Sequence, residues 1–133
     1  MLHPNQFQVN EAWIVFRLND APLQTEQEGS FNCVCLMDAA SCFIVGNSFV
    51  PVYESEPSII EVRQLLETGW AHKEQLPTTL LVPTGQFQTN LPEEAERQGI
   101  TVVSVEESEL MPFIREARQA FKQHQAAQRA SYN

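Results

Sequence analysis

Three cysteines lie close enough in sequence to form a chemical site together: Cys33, Cys35 and Cys42. If this segment folds into a hairpin, all three thiols share one face, and thiolates at such distances can bind zinc or copper. No histidine lies nearby in sequence to complete the ligand set. Because cysteine is among the most often buried residue types, we interpret the thiols as core and predict no metal or cofactor.

Asp38 is a second candidate, because it begins the polar turn 38–41 between two apolar runs. It could be a metal ligand or a general base, although an aspartate at a turn more commonly caps its own backbone. The three histidines, His3, His72 and His124, lie in polar segments with no nucleophile paired to them. We therefore interpret them as solvated side chains.

Gly85 follows a short apolar run bounded by prolines, which we predict to be a buried parallel strand. Open α/β sheets bind ligands at the carboxyl ends of such strands. A single glycine does not make a phosphate-binding loop, and a turn would explain it equally well. A small-ligand crevice near Gly85 is one functional hypothesis.

Basic residues recur on one face of the predicted last helix: Arg115, Arg118, Lys122 and Arg129 are separated by three, four and seven positions. They are half of the eight Lys and Arg residues of the chain. Cations are favoured near the C-terminal end of a helix by its dipole, so solvation explains the stripe. The alternative is that this basic stripe binds an acidic protein partner.

The elements that would position these residues follow from hydrophobic periodicity. Runs rich in apolar residues predict five strands, at 12–18, 31–37, 42–51, 78–82 and 100–105. Helical spacing predicts three helices, which begin near Ser58, Asn90 and Ser108. Three antiparallel strands followed by two helix-strand units make a single α/β domain over 1–133, with an ordered core over about 11–123 between a polar N-terminal arm and C-terminal tail.

The hairpin 31–51 organises this prediction. With a two-residue tip at positions 39 and 40, Cys35 faces Ile44 and both faces are apolar. We therefore expect a five-stranded mixed sheet with the hairpin in or near its middle and helices on both faces. The polar segment 23–30 is predicted to be an exposed loop, and Gly69 to end the first helix.

This element order, the turn sequence at 38–44 and the segment 79–102 resemble the ribonuclease H-like superfamily. The resemblance is to the catalytic core of retroviral integrases and DDE transposases, and it covers 12 to about 122. Members of that family hold two divalent metal ions with carboxylates inside the first strand, after the fourth strand and on the final helix. Two ions clamp both oxygens of an in-line displacement.

The metal ligands of the family carry over poorly to this chain. The position in the first strand falls at Phe16, and Pro83 stands where the second aspartate belongs. Glu116 could match the third. The resemblance thus implies a ribonuclease H-like domain that lacks the catalytic aspartates; a metal-dependent nuclease would have to use Asp20, Asp38 and Glu116.

The acidic composition excludes some partners. Seventeen Asp and Glu against eight Lys and Arg give a net charge of −9, which opposes binding to a phosphate backbone. No apolar run approaches the roughly 20 residues that span a bilayer, and no export signal is visible. An odd number of cysteines indicates a reducing compartment. We expect a soluble cytoplasmic protein that binds neither membrane nor nucleic acid.

Three functional hypotheses follow. The leading one is a non-catalytic interaction or regulatory module on a ribonuclease H-like scaffold, with a homodimer and an acidic protein as candidate partners. The alternatives are a metal-dependent nuclease or phosphoryl-transfer enzyme and a small-ligand-binding domain. Converging carboxylates would favour the nuclease, whereas a concave, largely apolar pocket would favour the ligand-binding domain.

Overall fold

The computed structural model describes residues 2–27 and 29–132, with side chains to residue 127. The strands are β1 (Ala12–Arg17), β2 (Leu23–Thr25), β3 (Gly29–Asp38), β4 (Ile44–Pro51), β5 (Thr79–Pro83) and β6 (Thr101–Val105). The helices are α1 (Ile59–Lys73), α2 (Asn90–Arg97) and α3 (Glu107–Tyr132). The predicted α/β class is confirmed: antiparallel strands come first, and two helix-strand units follow them.

Strand β1 is the centre of the mixed sheet. It pairs antiparallel with β3 and parallel with β5, and β6 extends the parallel side. The short β2 and the longer β4 both pair with β3. Within the described residues β4 has no second neighbour, so the hairpin reaches the edge of the sheet. The prediction of a hairpin covered on both faces is therefore wrong for β4, where Asn47 and Phe49 are exposed.

The loop of the hairpin is wider than a two-residue tip. The backbone N–H of Asp38 donates to the carbonyl of Phe43 at 2.8 Å, which closes a five-residue loop. This wider loop, together with a register shift between Leu36 and Met37, pairs Cys35 with Asn47, and the predicted pairing with Ile44 is wrong. Wider loops shift every cross-strand pair, because register in a hairpin is set by the turn.

Two further elements differ from the prediction. The segment predicted as an exposed loop contains β2, which extends the antiparallel side to a sixth strand. Helix α1 does not end at Gly69 but continues to Lys73, and Glu74 closes it in the left-handed conformation at φ 54°. Gly69 is instead buried in the middle of α1, against the ring of Trp13.

Two apolar layers sandwich the sheet, because successive strand residues point to opposite faces. Helices α1 and α2 cover one layer, whose largest fully buried members are Trp13, Leu36, Leu65, Leu66, Leu80, Leu91 and Ile100. Helix α3 covers the other, whose largest members are Phe16, Phe113, Ile14, Met37 and Leu110. Helices on both faces are thus confirmed. Over the part of the chain that the structure describes, none of the helices combines the length and apolar character needed to cross a membrane.

Candidate functional site

The carboxyl ends of β1 and β5 lie side by side, because these two strands are parallel neighbours. Their register pairs Ile14 with Leu81, so Phe16 and Pro83 each stand two residues further along adjacent strands. Open α/β sheets place their functional sites at this end of the strands. The two positions that the sequence resemblance matched to aspartates are therefore adjacent here, and neither side chain is a ligand for a metal ion.

An arginine lies over this position. The guanidinium carbon of Arg118 is 6.0 Å from the ring centroid of the fully buried Phe16. Its Nε donates to the carbonyl of Arg17 at 3.0 Å, and its Nη1 forms an ion pair with Glu107 at 2.7 Å. Glu107 accepts a second hydrogen bond from Gln86 at 2.8 Å. Both carboxylate oxygens of Glu107 are thus hydrogen-bonded, so Glu107 is not free to act as a metal ligand.

This ion pair also sets the charge state of the carboxylate. The hydrogen bond from Arg118 holds the pKa of Glu107 below its usual value, against the opposing effect of burial. Glu107 is therefore ionised over the physiological pH range, and it cannot serve as a proton donor there. Sequence reasoning missed this pair, because Glu107 resembles any acidic residue in the first turn of a helix.

The carboxylates proposed for a nuclease lie at opposite ends of the sheet. Asp20 follows the carboxyl end of β1 and forms an ion pair with Lys122 at 2.9 Å. Asp38 pairs with Trp13 at the start of β1. The strand between Trp13 and Arg17 alone spans about 13 Å, at roughly 3.3 Å per residue. Asp20 and Asp38 cannot share one ion.

Asp38 has a local structural role. Its carboxylate accepts hydrogen bonds from the N–H of Asn10 at 2.7 Å and from the N–H and Oγ of Ser41 at 2.9 and 2.6 Å. Glu116 is exposed on α3, and its charge acts with that of Asp38 on Cys42. Among the described side chains, no group of three or more His, Cys, Asp or Glu residues could hold a metal ion.

The cysteines are packing residues at the hairpin. Cys33 and Cys35 are buried with their sulfurs 3.9 Å apart, and Cys42 is half-buried at the loop. The hydrogen bond to Cys33 and burial raise the pKa of Cys35. Burial raises the pKa of Cys42, and the charges of Glu116 and Asp38 add to that effect. The hydrogen bond between Cys33 and Cys35 lowers the pKa of Cys33, against the effect of burial. The raised pKa values of Cys35 and Cys42 favour the protonated thiols, which are poor nucleophiles and poor metal ligands.

The basic stripe is partly occupied by intramolecular contacts. Arg118 is bound by Glu107, and Lys122 by Asp20. Arg115 is exposed and makes no ion pair with any described residue. The side chain of Arg129 lies outside the described residues.

A cavity of about 300 Å³ lies beside Gly85, where the sequence predicted a crevice. We call it the Gly85 cavity. Arg17, Asn32, Glu56 and Phe87 line it together with the loop that follows β5. Its lining is more polar than the predicted apolar pocket. No sequence signal could have found these residues together, because they come from β1, β3 and two separate loops.

Comparisons with known proteins identify the fold. No family model and no curated protein sequence matches this chain. Its structure is similar to the catalytic core of bovine immunodeficiency virus (BIV) integrase, with a TM-score of 0.57 and 12% identity over 92% of this chain and 73% of that chain. It is also similar to the HTLV-2 integrase catalytic core solved with magnesium, with a TM-score of 0.51 and 10% identity over 72% of this chain and 61% of that chain.

A chain of the simian T-cell lymphotropic virus intasome gives a TM-score of 0.58 and 10% identity over 86% of this chain. This chain spans only 39% of the length of that one. At sequence identities this low, structural similarity shows a shared fold but does not show a shared activity. The predicted resemblance is confirmed: the chain has the ribonuclease H-like fold of retroviral integrase catalytic cores.

Proposed function

We propose that this chain is a non-catalytic interaction or regulatory module built on a ribonuclease H-like scaffold. The observation that carries the proposal is the ion pair of Arg118 with Glu107 over Phe16. A two-metal hydrolase needs several carboxylates around an open position at the strand ends. In this chain an apolar ring and a proline stand at that position, and a bound guanidinium covers it.

The charge of this arrangement supports the same conclusion. Arg118 brings a positive charge to the place where the resembled family holds divalent cations, and like charges at contact distance repel strongly in a partly buried site. Glu107 compensates Arg118 and therefore has little negative charge left to offer an ion.

A metal-dependent nuclease that uses Asp20, Asp38 and Glu116 is the alternative. It would require these carboxylates to converge on one ion. The ion pair of Asp20 with Lys122 and the three hydrogen bonds accepted by Asp38 support the non-catalytic proposal instead.

The interaction part of the proposal rests on the two outer strands of the sheet. Phe49 on β4 is 58% exposed, Phe43 in the adjoining loop is 56% exposed, and Val103 on β6 is 40% exposed. Sheet edges that carry exposed apolar side chains are surfaces on which another chain can pair. A second copy of this chain is one candidate partner. An acidic protein on the basic stripe stays a prediction, with Arg115 as its unpaired cation.

The catalytic part is tested with magnesium and manganese. Isothermal titration should detect no tight site for either ion, and labelled single- and double-stranded DNA and RNA should remain intact. Cleavage that disappears in Asp38→Asn or Glu116→Gln would contradict the proposal, because a contaminating nuclease would not depend on those side chains.

The interaction part is tested with Phe49→Ser, and Glu67→Ser on the exposed face of α1 is the matched control. Sedimentation velocity over a wide concentration range should show self-association of the wild type and the control, with weaker association of Phe49→Ser. A wild-type protein that stays monomeric and retains no partner from its native cell extract at low salt would refute this part.

A further inference from the structure

The Gly85 cavity adjoins the position that Arg118 covers, because Gln86 lines the cavity and donates to Glu107 at 2.8 Å, but the two have different lining residues. Phe16 packs in the layer under α3, and the next residue, Arg17, points to the opposite face because strand residues alternate. The cavity is floored by Val34 and Phe87, which belong to or contact the layer under α1 and α2. Its floor therefore lies on the α1 and α2 side of the sheet, and Gln86 at its rim connects it to the ion pair over Phe16.

We propose that the Gly85 cavity binds a small ligand through an oxyanion group, either a phosphate or a carboxylate. Arg17 supplies the charge. Its side chain is exposed at the cavity and forms no ion pair with any residue in 2–27 or 29–132. A guanidinium presents a planar fork of N–H donors that matches the oxygens of a carboxylate or phosphate.

Backbone amides of the loop after β5 supply further donors. Gly85 and Phe87 adopt left-handed conformations, with φ values of 81° and 50°. The N–H groups of Gly85, Phe87 and Gln88 donate to no acceptor within the described residues, whereas that of Gln86 donates to the carbonyl of Pro83 at 3.1 Å. Phe87 and Gln88 are consecutive, and successive amides beside a left-handed residue form the kind of concavity that binds anions.

The acidic residue of the cavity limits the charge of the ligand. Glu56 already accepts hydrogen bonds from the N–H groups of Thr89, Asn90 and Leu91, at 3.0, 2.6 and 3.0 Å. It caps the start of α2, so its negative charge is fixed beside the cavity. A polyphosphate would be repelled there, whereas a ligand with one oxyanion group can approach from the Arg17 side.

The other polar groups of the lining suit a ligand whose remaining part is neutral and forms hydrogen bonds. The amide of Asn32 accepts from Asn19 at 3.0 Å and keeps its own donors free, and the side chain of Gln88 makes no hydrogen bond within the described structure. A volume of about 300 Å³ lies at the small end of ligand pockets. The chemical class is therefore a small oxyacid with a polar body. This inference goes beyond the proposed function and does not depend on it.

The test is a titration of the ¹⁵N-labelled protein, followed by amide chemical shifts, with inorganic phosphate in one arm and acetate in the other. Sodium chloride keeps the ionic strength constant. The amides of Gly85, Phe87 and Gln88 should shift and saturate. Arg17→Gln should weaken binding by about tenfold or more, because a charge-assisted hydrogen bond is lost. Arg115→Gln is the matched control, since it removes another unpaired exposed cation and should leave binding unchanged.

The two arms identify which oxyanion is preferred. Saturable shifts with either probe, lost in Arg17→Gln and kept in Arg115→Gln, support the proposal. The proposal is overturned if neither probe gives saturable shifts, or if both variants respond like the wild type. The amide spectrum of Arg17→Gln checks that the variant is folded. We expect it to fold, because Arg118 bonds to the backbone carbonyl of Arg17, which the substitution keeps.

Discussion

Replacement of Gly69 by alanine should destabilise the protein, although alanine is the better helix former. A Cβ at this position would lie 2.7 and 2.9 Å from two atoms of the Trp13 ring and 3.2 Å from Leu36. Carbon atoms in favourable contact are about 3.5–4.0 Å apart. Trp13 is fully buried, and its indole N–H is held by Asn10 at 2.9 Å, so the ring has little freedom to move away.

The magnitude follows from two opposing effects. Overpacking of a well-packed core costs about 1–3 kcal/mol, and two contacts below 3 Å place this site in the upper part of that range. Alanine recovers about 1 kcal/mol of helix propensity relative to glycine. We therefore expect Gly69→Ala to lower the free energy of unfolding by about 1–2 kcal/mol.

Urea denaturation followed by circular dichroism measures this change, and an unaltered m-value would show that the denatured state is unaffected. The control is Gln64, which is exposed on the same helix. Gln64→Ala should be more stable than Gln64→Gly by about 1 kcal/mol. Alanine is thus expected to be the more stabilising residue at position 64, and glycine at position 69. A Gly69→Ala protein as stable as the wild type would refute the close packing of α1 on Trp13.

A double-mutant cycle locates the contact. Trp13→Phe removes both ring atoms that the new Cβ would meet. In that background Gly69→Ala should cost less than in the wild type, with a coupling energy of about 0.5–3 kcal/mol. Equal costs in both backgrounds would show that the strain arises elsewhere.

Two further predictions concern titratable groups. The buried carboxylate of Glu94 has its pKa lowered to about 2, chiefly by the hydrogen bond from Arg97. Since the folded pKa lies below the unfolded one, its contribution to stability is complete above about pH 5 and is lost as the pH falls towards 2; urea midpoints of Glu94→Gln should therefore depend less on pH in that window. For Cys42, whose pKa is raised by burial and by Glu116 and Asp38, Glu116→Gln should accelerate alkylation by iodoacetamide, and an unchanged rate would exclude that charge effect.

Local sequence signals predicted the elements well. Ser58 and Glu61 cap the start of α1 reciprocally at 3.2 and 3.3 Å, as their spacing indicates. These contacts lie within four residues, so the sequence alone specifies them. The same holds for the composition of the strands and for the identities of Phe16 and Pro83 near the carboxyl ends of β1 and β5.

Contacts between distant segments depended on the tertiary structure. Asp38 accepts hydrogen bonds from Ser41 and Asn10 at the hairpin loop. The wider loop and the register shift between Leu36 and Met37 together moved the register away from the one that pattern alone predicted. Gly69 lies inside α1 because the helix packs closely against Trp13 there. Rules that place glycine at helix ends do not take such packing into account.

The candidate sites show the same division. Composition and spacing located the carboxyl end of β5 and the glycine beside it, because both are features of one short segment. Arg118 and Glu107 pair along α3, eleven positions apart. The contact of Arg118 with Phe16, the hydrogen bond of Gln86 to Glu107 and the placement of Arg17 beside the loop after β5 exist only once β1, β5 and α3 are packed together. The sequence specifies which side chains are present, but the distances between such residues at the strand ends are set by the packing of elements far apart in the chain.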